Sequence, residues 1–236
     1  MDKTSNTSWR QTLQLSVLIG IAVILSARAL WLFLSDPIRF PIHTIRFDSP
    51  SQHISRYRLQ TVLQAYSGQS FFSISLNRLR KDFYQIPRIQ SVVIEREWPD
   101  TLVIHLEEKV PFAHWNQMLI DTNGDIFPVE ENEQLQQLPR LQGPEEKAHN
   151  VLYTYKTLHK ILSDYGLSAS IVHLRANEAW ELTLRDGVHI RLDREQIKDK
   201  LLRFSKVYAS LQSEKKAVPK SVDLRYPRGM AVEWNS

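Results

Sequence analysis

The 236-residue chain contains no cysteine. Disulfides, thiol nucleophiles and thiolate metal sites are thereby excluded, although the compartment stays open. Glycine is scarce, at seven residues, too few for phosphate-cradling loops, and no GxSxG, P-loop or GxGxxG pattern occurs. No strong excess of one charge exists either. The net charge is +4, and no basic stripe interleaved with aromatics marks a nucleic-acid surface. The eight histidines are scattered, without the H-x-H or HExxH spacing of a metal site. What is present is a globular composition, 42% hydrophobic and 24% charged, enough for one or two ordinary domains.

The strongest local feature is Leu13–Leu34, an apolar run with a single charge, Arg28. As a helix of about 22 residues it is roughly 33 Å long, enough to cross a hydrocarbon core of about 30 Å. Trp31 and Phe33 fall where an aromatic belt would lie. Arg28 is about six residues from the end, roughly 9 Å along the axis, within snorkelling reach of the interface. A signal peptide is the alternative, because Ala27-Arg28-Ala29 fits an A-x-A cleavage pattern. The apolar stretch continues past that point, so a cleaved protein would begin with an exposed hydrophobic tail. Lys3 and Arg10 precede the span and Arg39 and Arg46 follow it. The positive-inside count is therefore nearly neutral, and charge alone leaves orientation undecided.

Asp36-Pro37 ends the helix and Pro41 precedes a strand over residues 42–47. Ser55 is expected to cap a helix with Leu59, Val62, Leu63 and Tyr66 on one face, stopped at Gly68. A second helix is expected near Ser75, with Leu76, Leu79, Phe83 and Ile86 inward and Pro87 at its end. Two strands follow. Val92, Ile94 and Trp98 share one face of the first, and Leu102, Ile104 and Leu106 one face of the second, with Pro99-Asp100 turning between them. This β-α-α-β-β order predicts a small sheet covered on one side by two helices.

Beyond residue 110 the pattern changes. Short strands are expected at 114–115, 119–120 and 126–127, with Asn123-Gly124 as a hairpin turn. A polar stretch holding Glu130, Glu131 and Glu133 follows. A helix from near Asn150 carries Leu152, Tyr155, Leu158, Leu162 and Tyr165 on one face, and Gly166 ends it. A meander over 171–176, 180–184 and 188–192 turns at Asp186-Gly187. Asp193 and Gln196 read as a capping box for a helix carrying Ile197, Leu201, Phe204, Tyr208 and Leu211. Strands over 222–226 and 230–234 close the chain. The fold class expected is α+β: one membrane helix, the β-α-α-β-β domain, then a β-rich domain with helices. The expected boundaries are 1–12, 13–34, 40–110 and 111–236.

Catalytic constellations are weak. Asp121-Thr122-Asn123-Gly124-Asp125 mimics the start of a calcium loop, but positions six and twelve would be Ile126 and Asn132 rather than glycine and glutamate. His105, His114, Glu107-Glu108 and the Glu130 cluster read as solvated strand edges and loops rather than paired acids and bases. No catalytic residue, cofactor or metal is therefore expected. Tyr226 and Trp234 are large aromatics at the terminal strand pair. They read either as core or as anchors on an edge strand that accepts a partner's strand.

Three segments carry a family resemblance. The β-α-α-β-β block resembles a POTRA domain, a module that receives other polypeptides. Trp98-Pro99-Asp100-Thr101-Leu102, Ile104-His105-Leu106 and Val110-Pro111-Phe112-Ala113-His114-Trp115-Asn116 are similar to the POTRA exit of the FtsQ/DivIB cell-division family, of Gram-negative FtsQ type. Asp121-Thr122-Asn123-Gly124 resembles the hairpin opening that family's β domain. Val222-Asp223-Leu224-Arg225-Tyr226, Gly229, Ala231-Val232 and Trp234 are similar to its C-terminal strands, with Pro227-Arg228 as a departure.

The resemblance implies a non-enzymatic divisome scaffold, single-pass in the cell inner membrane, C-terminus in the periplasm, concentrated at the septum. It implies binding of FtsB, which comes with FtsL, in an FtsQ-B-L complex with other divisome proteins. No nucleic acid or small-molecule substrate is implied. Carried over residue by residue, the partner site is Arg225, Tyr226, Gly229, Met230, Val232 and Trp234. The strand over 42–47 is a second candidate edge. Two other readings stay open: a POTRA protein guiding polypeptides in the periplasm, and a processed periplasmic enzyme or binding protein.

Overall fold

The structure, a computed structural model, describes residues 5–48, 53–129, 135–215 and 217–234. The Glu130, Glu131 and Glu133 stretch and Lys3 lie outside the described residues, as does the side chain of Arg10. The chain divides into two compact units, one ending at Glu108 and the other beginning at Lys109.

The first unit opens with helix α1 (Ser5–Leu34). Its apolar side chains from Leu13 to Phe33 are exposed around the whole circumference, and none of the window over Leu13–Leu34 is buried. The span is long and apolar enough to cross a membrane. Strand β1 (Thr44–Phe47), helices α2 (Arg56–Gln64) and α3 (Leu76–Phe83), and strands β2 (Ile89–Glu97) and β3 (Thr101–Glu108) follow, in the expected β-α-α-β-β order. The sheet order is β1-β3-β2, with β1 parallel to β3 and β2 antiparallel to it. Leu59, Tyr66, Leu79, Phe83, Ile86, Val92, Leu102, Ile104 and Leu106 form the core between sheet and helices.

Two local expectations fail here. Ser55 makes no side-chain capping bond to α2, whereas Ser75 accepts one from the Arg78 N–H at 3.4 Å. Trp98 does not share a face with Val92. The strand stops at Glu97, and Trp98, joined to Pro99 by a cis peptide, lies exposed in the turn.

Among the described residues, the second unit is built on one nine-stranded sheet. Its strands are β4 (Ala113–Trp115), β5 (Met118–Ile120), β6 (Ile126–Phe127), β7 (Arg140–Gln142), β8 (Ala169–Leu174), β9 (Trp180–Leu184), β10 (His189–Leu192), β11 (Pro219–Asp223) and β12 (Ala231–Trp234). The order is β12-β11-β10-β9-β8-β7-β4-β5-β6. Helix α4 (Ala148–Ser163) connects β7 to its parallel neighbour β8, and α5 (Ile197–Lys215) connects β10 to its parallel neighbour β11. Val151, Leu152, Tyr155, Leu158 and Leu162 of α4 and Leu201, Phe204 and Tyr208 of α5 belong to the same buried cluster as the inward residues of the sheet. Tyr165 lies past the end of α4, where the chain turns at Gly166 (φ +70°), and is exposed.

The turn at Asn123-Gly124 is the expected hairpin, with β5 and β6 antiparallel across it. Asp121 Oδ1 accepts the N–H groups of Asn123 (2.8 Å) and Asp125 (2.9 Å), so this carboxylate organises the turn. The capping box at Asp193 and Gln196 does not form. Asp193 Oδ1 accepts the N–H of Glu195 at 3.2 Å rather than that of Gln196, both its oxygens accept from the Lys200 ammonium at 2.7 Å, and Gln196 adopts φ +52°.

Candidate partner-binding site

The last two strands carry the candidate site. Strand β11 ends at Asp223 rather than at 226, so Arg225 and Tyr226 lie in the connection to β12 and not on a strand. The cause is local. Asp223 Oδ1 accepts the Arg225 N–H at 3.0 Å, and the guanidinium folds back onto the carboxylate, with Nη2 2.6 Å from Oδ2. These bonds pull the Asp223 carboxyl below its ordinary range against an opposing effect of burial. The same ion pair raises Arg225.

Helix α5 holds the connection from below. Lys200 is 4% exposed and donates to the Arg225 carbonyl at 3.3 Å as well as to Asp193. Arg203 Nη1 donates to the Pro227 carbonyl at 3.1 Å. Between helix and connection lies a cleft of about 320 Å³, lined by Lys200, Arg203, Lys206, Val207, Leu224 and Met230 among others. Its floor is apolar and its rim basic.

Strand β12 is the outermost strand of the sheet, paired on one side with β11 and with no described strand on the other. The direction of its free groups follows from the register. Leu224 donates its N–H to the Arg191 carbonyl on β10, at 2.8 Å. Backbone groups alternate sides along a strand, so Ser221 and Asp223 address β12, where their partners are Glu233 and Ala231. The N–H and C=O of Val232 and Trp234 therefore point away from the sheet, along the open edge. On the outer face, Glu233 accepts from Lys220 Nζ (2.8 Å) and Ser221 Oγ (2.9 Å), which lowers its pKa.

The six expected site residues thus fall into two groups. Arg225, Tyr226 and Gly229 are exposed on the connection, Tyr226 at 55%. Met230, Val232 and Trp234 alternate on the partly buried face, and Met230 and Val232 pack against the core. Asp223, Lys200 and Arg203, which shape the site, were not foreseen. Lys200 left one signal: it stands at an apolar-face position between Ile197 and Phe204, where a helix facing a core carries no free charge.

The other sequence candidates are dispersed. His105 lies near Asp48 (3.7 Å) on the first unit, His114 Nε2 lies 3.1 Å from the Leu135 carbonyl, and Glu107 accepts from Ser91 Oγ. Among the described residues no group of three or more His, Asp or Glu side chains is placed to hold a metal ion.

Comparisons with known proteins accord with this architecture. Residues 113–225 match the family model described as cell division protein FtsQ/DivIB, C-terminal, and residues 40–109 match that of the POTRA domain, FtsQ-type. The chain is 30% identical to the cell division protein FtsQ of Shewanella oneidensis, over 93% of this chain and 84% of that one. It is 30% identical to that of Alcanivorax borkumensis, over 92% and 85%, and 34% identical to that of Escherichia coli, over 74% and 66%. A membrane-length apolar helix, a POTRA domain and a β-rich domain in this order, matched over 84% of a relative's length, place the chain in the FtsQ family of cell division proteins.

Proposed function

We propose that this chain is a non-enzymatic divisome scaffold that binds an FtsB-like partner, with its companion FtsL, by adding a partner strand to β12. The observation that carries this reading is the outward-pointing N–H and C=O pairs of Val232 and Trp234 on an edge that no described strand pairs. An edge strand supplies main-chain hydrogen bonds without side-chain chemistry, and Tyr226 at the strand's entrance supplies an aromatic anchor. The basic rim of the neighbouring cleft, Arg203, Lys206 and Arg228, favours acidic side chains flanking the added strand.

In this reading α1 crosses the inner membrane once, residues 1–12 are cytoplasmic, and the POTRA domain (40–110) and the β domain (111–236) stand in the periplasm. The protein acts by assembly, joining cytoplasmic and periplasmic division proteins at the septum. Co-purification of tagged FtsB and FtsL with the chain from detergent-solubilised membranes tests it, together with a fluorescent fusion in dividing cells. A midcell band and retention of both partners are expected. A uniform envelope signal with no retained FtsB overturns the reading.

A further inference from the structure

The end of α1 is clasped by the POTRA domain. Ser70, fully buried in the α2–α3 connection, donates its hydroxyl to the Leu34 carbonyl at 2.7 Å. That carbonyl is one of those left without an intrahelical partner at a helix C-terminus. Phe71 N–H donates to the Phe40 carbonyl at 2.8 Å, and Pro41 bridges to Ser70. A run of edge-on aromatic contacts crosses the joint. Phe33 meets Phe40 at 5.6 Å, Phe40 meets Phe72 at 5.1 Å, and Phe72 meets Phe71 at 5.3 Å. Arg39 lies over the Phe33 ring at 4.7 Å.

A joint of this kind leaves little slack. The last turn of a spanning helix ends at the headgroup layer, and Ser70 is one hydrogen bond from it. Ile38, 89% exposed, is an apolar side chain at that depth. Beside the joint opens a cleft of about 280 Å³, lined by Pro37, Pro41, Ile42, Ile45, Leu63 and Ser67 among others. Its lining is largely aliphatic. A free apolar side chain and an aliphatic cleft, both set at the end of a bilayer-length helix, match the chemistry of the interface, where acyl chains meet headgroups.

We propose that the α2–α3 connection of the POTRA domain rests on the membrane surface and that the cleft at Ser67 is a contact site for phospholipid of the outer leaflet. The site is continuous with the span, and Arg39, paired with Asp36 at 3.2 Å, keeps a 56% exposed side chain beside it that a lipid phosphate can approach. This rests on the reading of α1 as a membrane span, and the test separates the two.

The chain's lack of cysteine makes single-cysteine labelling direct. Full-length chain carrying Ile21→Cys, Ser67→Cys or Gln90→Cys is labelled with an environment-sensitive fluorophore. Each is reconstituted in vesicles of phosphatidylethanolamine and phosphatidylglycerol containing nitroxide lipids. Ile21 reports the span, Ser67 the cleft, and Gln90 the end of the same domain's sheet away from α1, where β2 pairs with Glu107 and Glu108. Acyl-chain nitroxide should quench Ile21 strongly. Headgroup nitroxide should quench Ser67 several-fold more than Gln90, and Phe72→Ala combined with Ser70→Ala should abolish that difference while Ile21 stays quenched. If Ile21 is quenched while Ser67 and Gln90 respond alike, the surface contact is overturned and the span stands. If Ile21 is not quenched, both fall.

Discussion

Lys200 and Arg225 meet across the boundary between helix and sheet. The ammonium at 3.3 Å from the Arg225 carbonyl fixes the connection that leads into β12, while both oxygens of Asp193 hold the charge in place. A buried lysine sits at the root of the proposed site, whose exposed residues are Arg225, Tyr226 and Gly229.

Replacing Lys200 therefore separates shape from contact. Lys200→Ala strands Asp193 and frees the Arg225 carbonyl. Breaking a buried pair costs about 3–5 kcal/mol, and the partial exposure of Asp193 places the expected loss at the lower end. Lys200→Met fills the space with apolar volume and should recover stability without recovering full partner affinity. Melting curves and FtsB titrations on both variants check this. Equal affinity for Lys200→Met and the parent removes Lys200 from the site.

Tyr226 and Trp234 are expected to differ. Tyr226 is exposed on the connection, so Tyr226→Ala should weaken partner binding by about 2 kcal/mol, the scale of an aromatic hot spot, with little change in melting temperature. Trp234 is half-buried on the helix-facing side of β12, so Trp234→Ala should lower both. An unchanged affinity for Tyr226→Ala would move the anchor elsewhere.

The backbone geometry makes a sharper prediction. Val232 turns its N–H outward and Ala231 turns its own toward β11. Val232→Pro should abolish strand addition beyond the effect of Val232→Ala, because proline removes the donor. Ala231→Pro should lower the melting temperature instead, by breaking the pairing with Asp223. If the two proline variants exchange these effects, the register of the open edge is reversed.

The Asp223–Arg225 clamp has an acid limit. The folded pKa of Asp223 is depressed below its ordinary 3.8, so its stabilisation is complete above that value. It is lost as pH falls through the lower folded value. Partner binding should therefore hold across neutral and mildly acidic pH. Asp223→Asn should bind at neutral pH as weakly as the parent does at the acid limit. Fluorescence titration against pH on both proteins reads this.

Topology gives the fifth prediction. A C-terminal alkaline phosphatase fusion should be active, and N-terminal sequencing should find no cut after Ala29. An inactive fusion, or a mature protein starting at Leu30, removes the inner-membrane reading.

Much of the architecture was legible because single residues announced it. The positive φ at Gly68, Gly124, Gly166 and Gly187 falls at four turns or helix ends that the glycines mark in the sequence. Strand β7 was invisible, since Arg140-Leu141-Gln142 holds one apolar residue among three, and its place between β4 and β8 comes from parallel partners far along the chain. The capping box fails because Gln196 takes a left-handed φ of +52° and the helix starts only at Ile197, so the carboxylate of Asp193 caps a turn at the Glu195 N–H, and no local pattern encodes that shift. At the site, residue type points to the aromatics, but alternation places Tyr226 on a strand, because the grip of Asp223 on Arg225 is a side-chain event that alternation cannot express.

The clasp between Ser70 and Leu34 also fixes a heading. With the α2–α3 connection hydrogen-bonded to the last turn of α1 and to Phe40, swivel at that point breaks those bonds. Turning the helix about its own axis turns the POTRA domain through the same angle. With α1 in a bilayer as proposed, the side of it that met a neighbouring helix would choose the compass bearing of β1 above it, and a contact made among lipids would be converted into which way an edge strand faces.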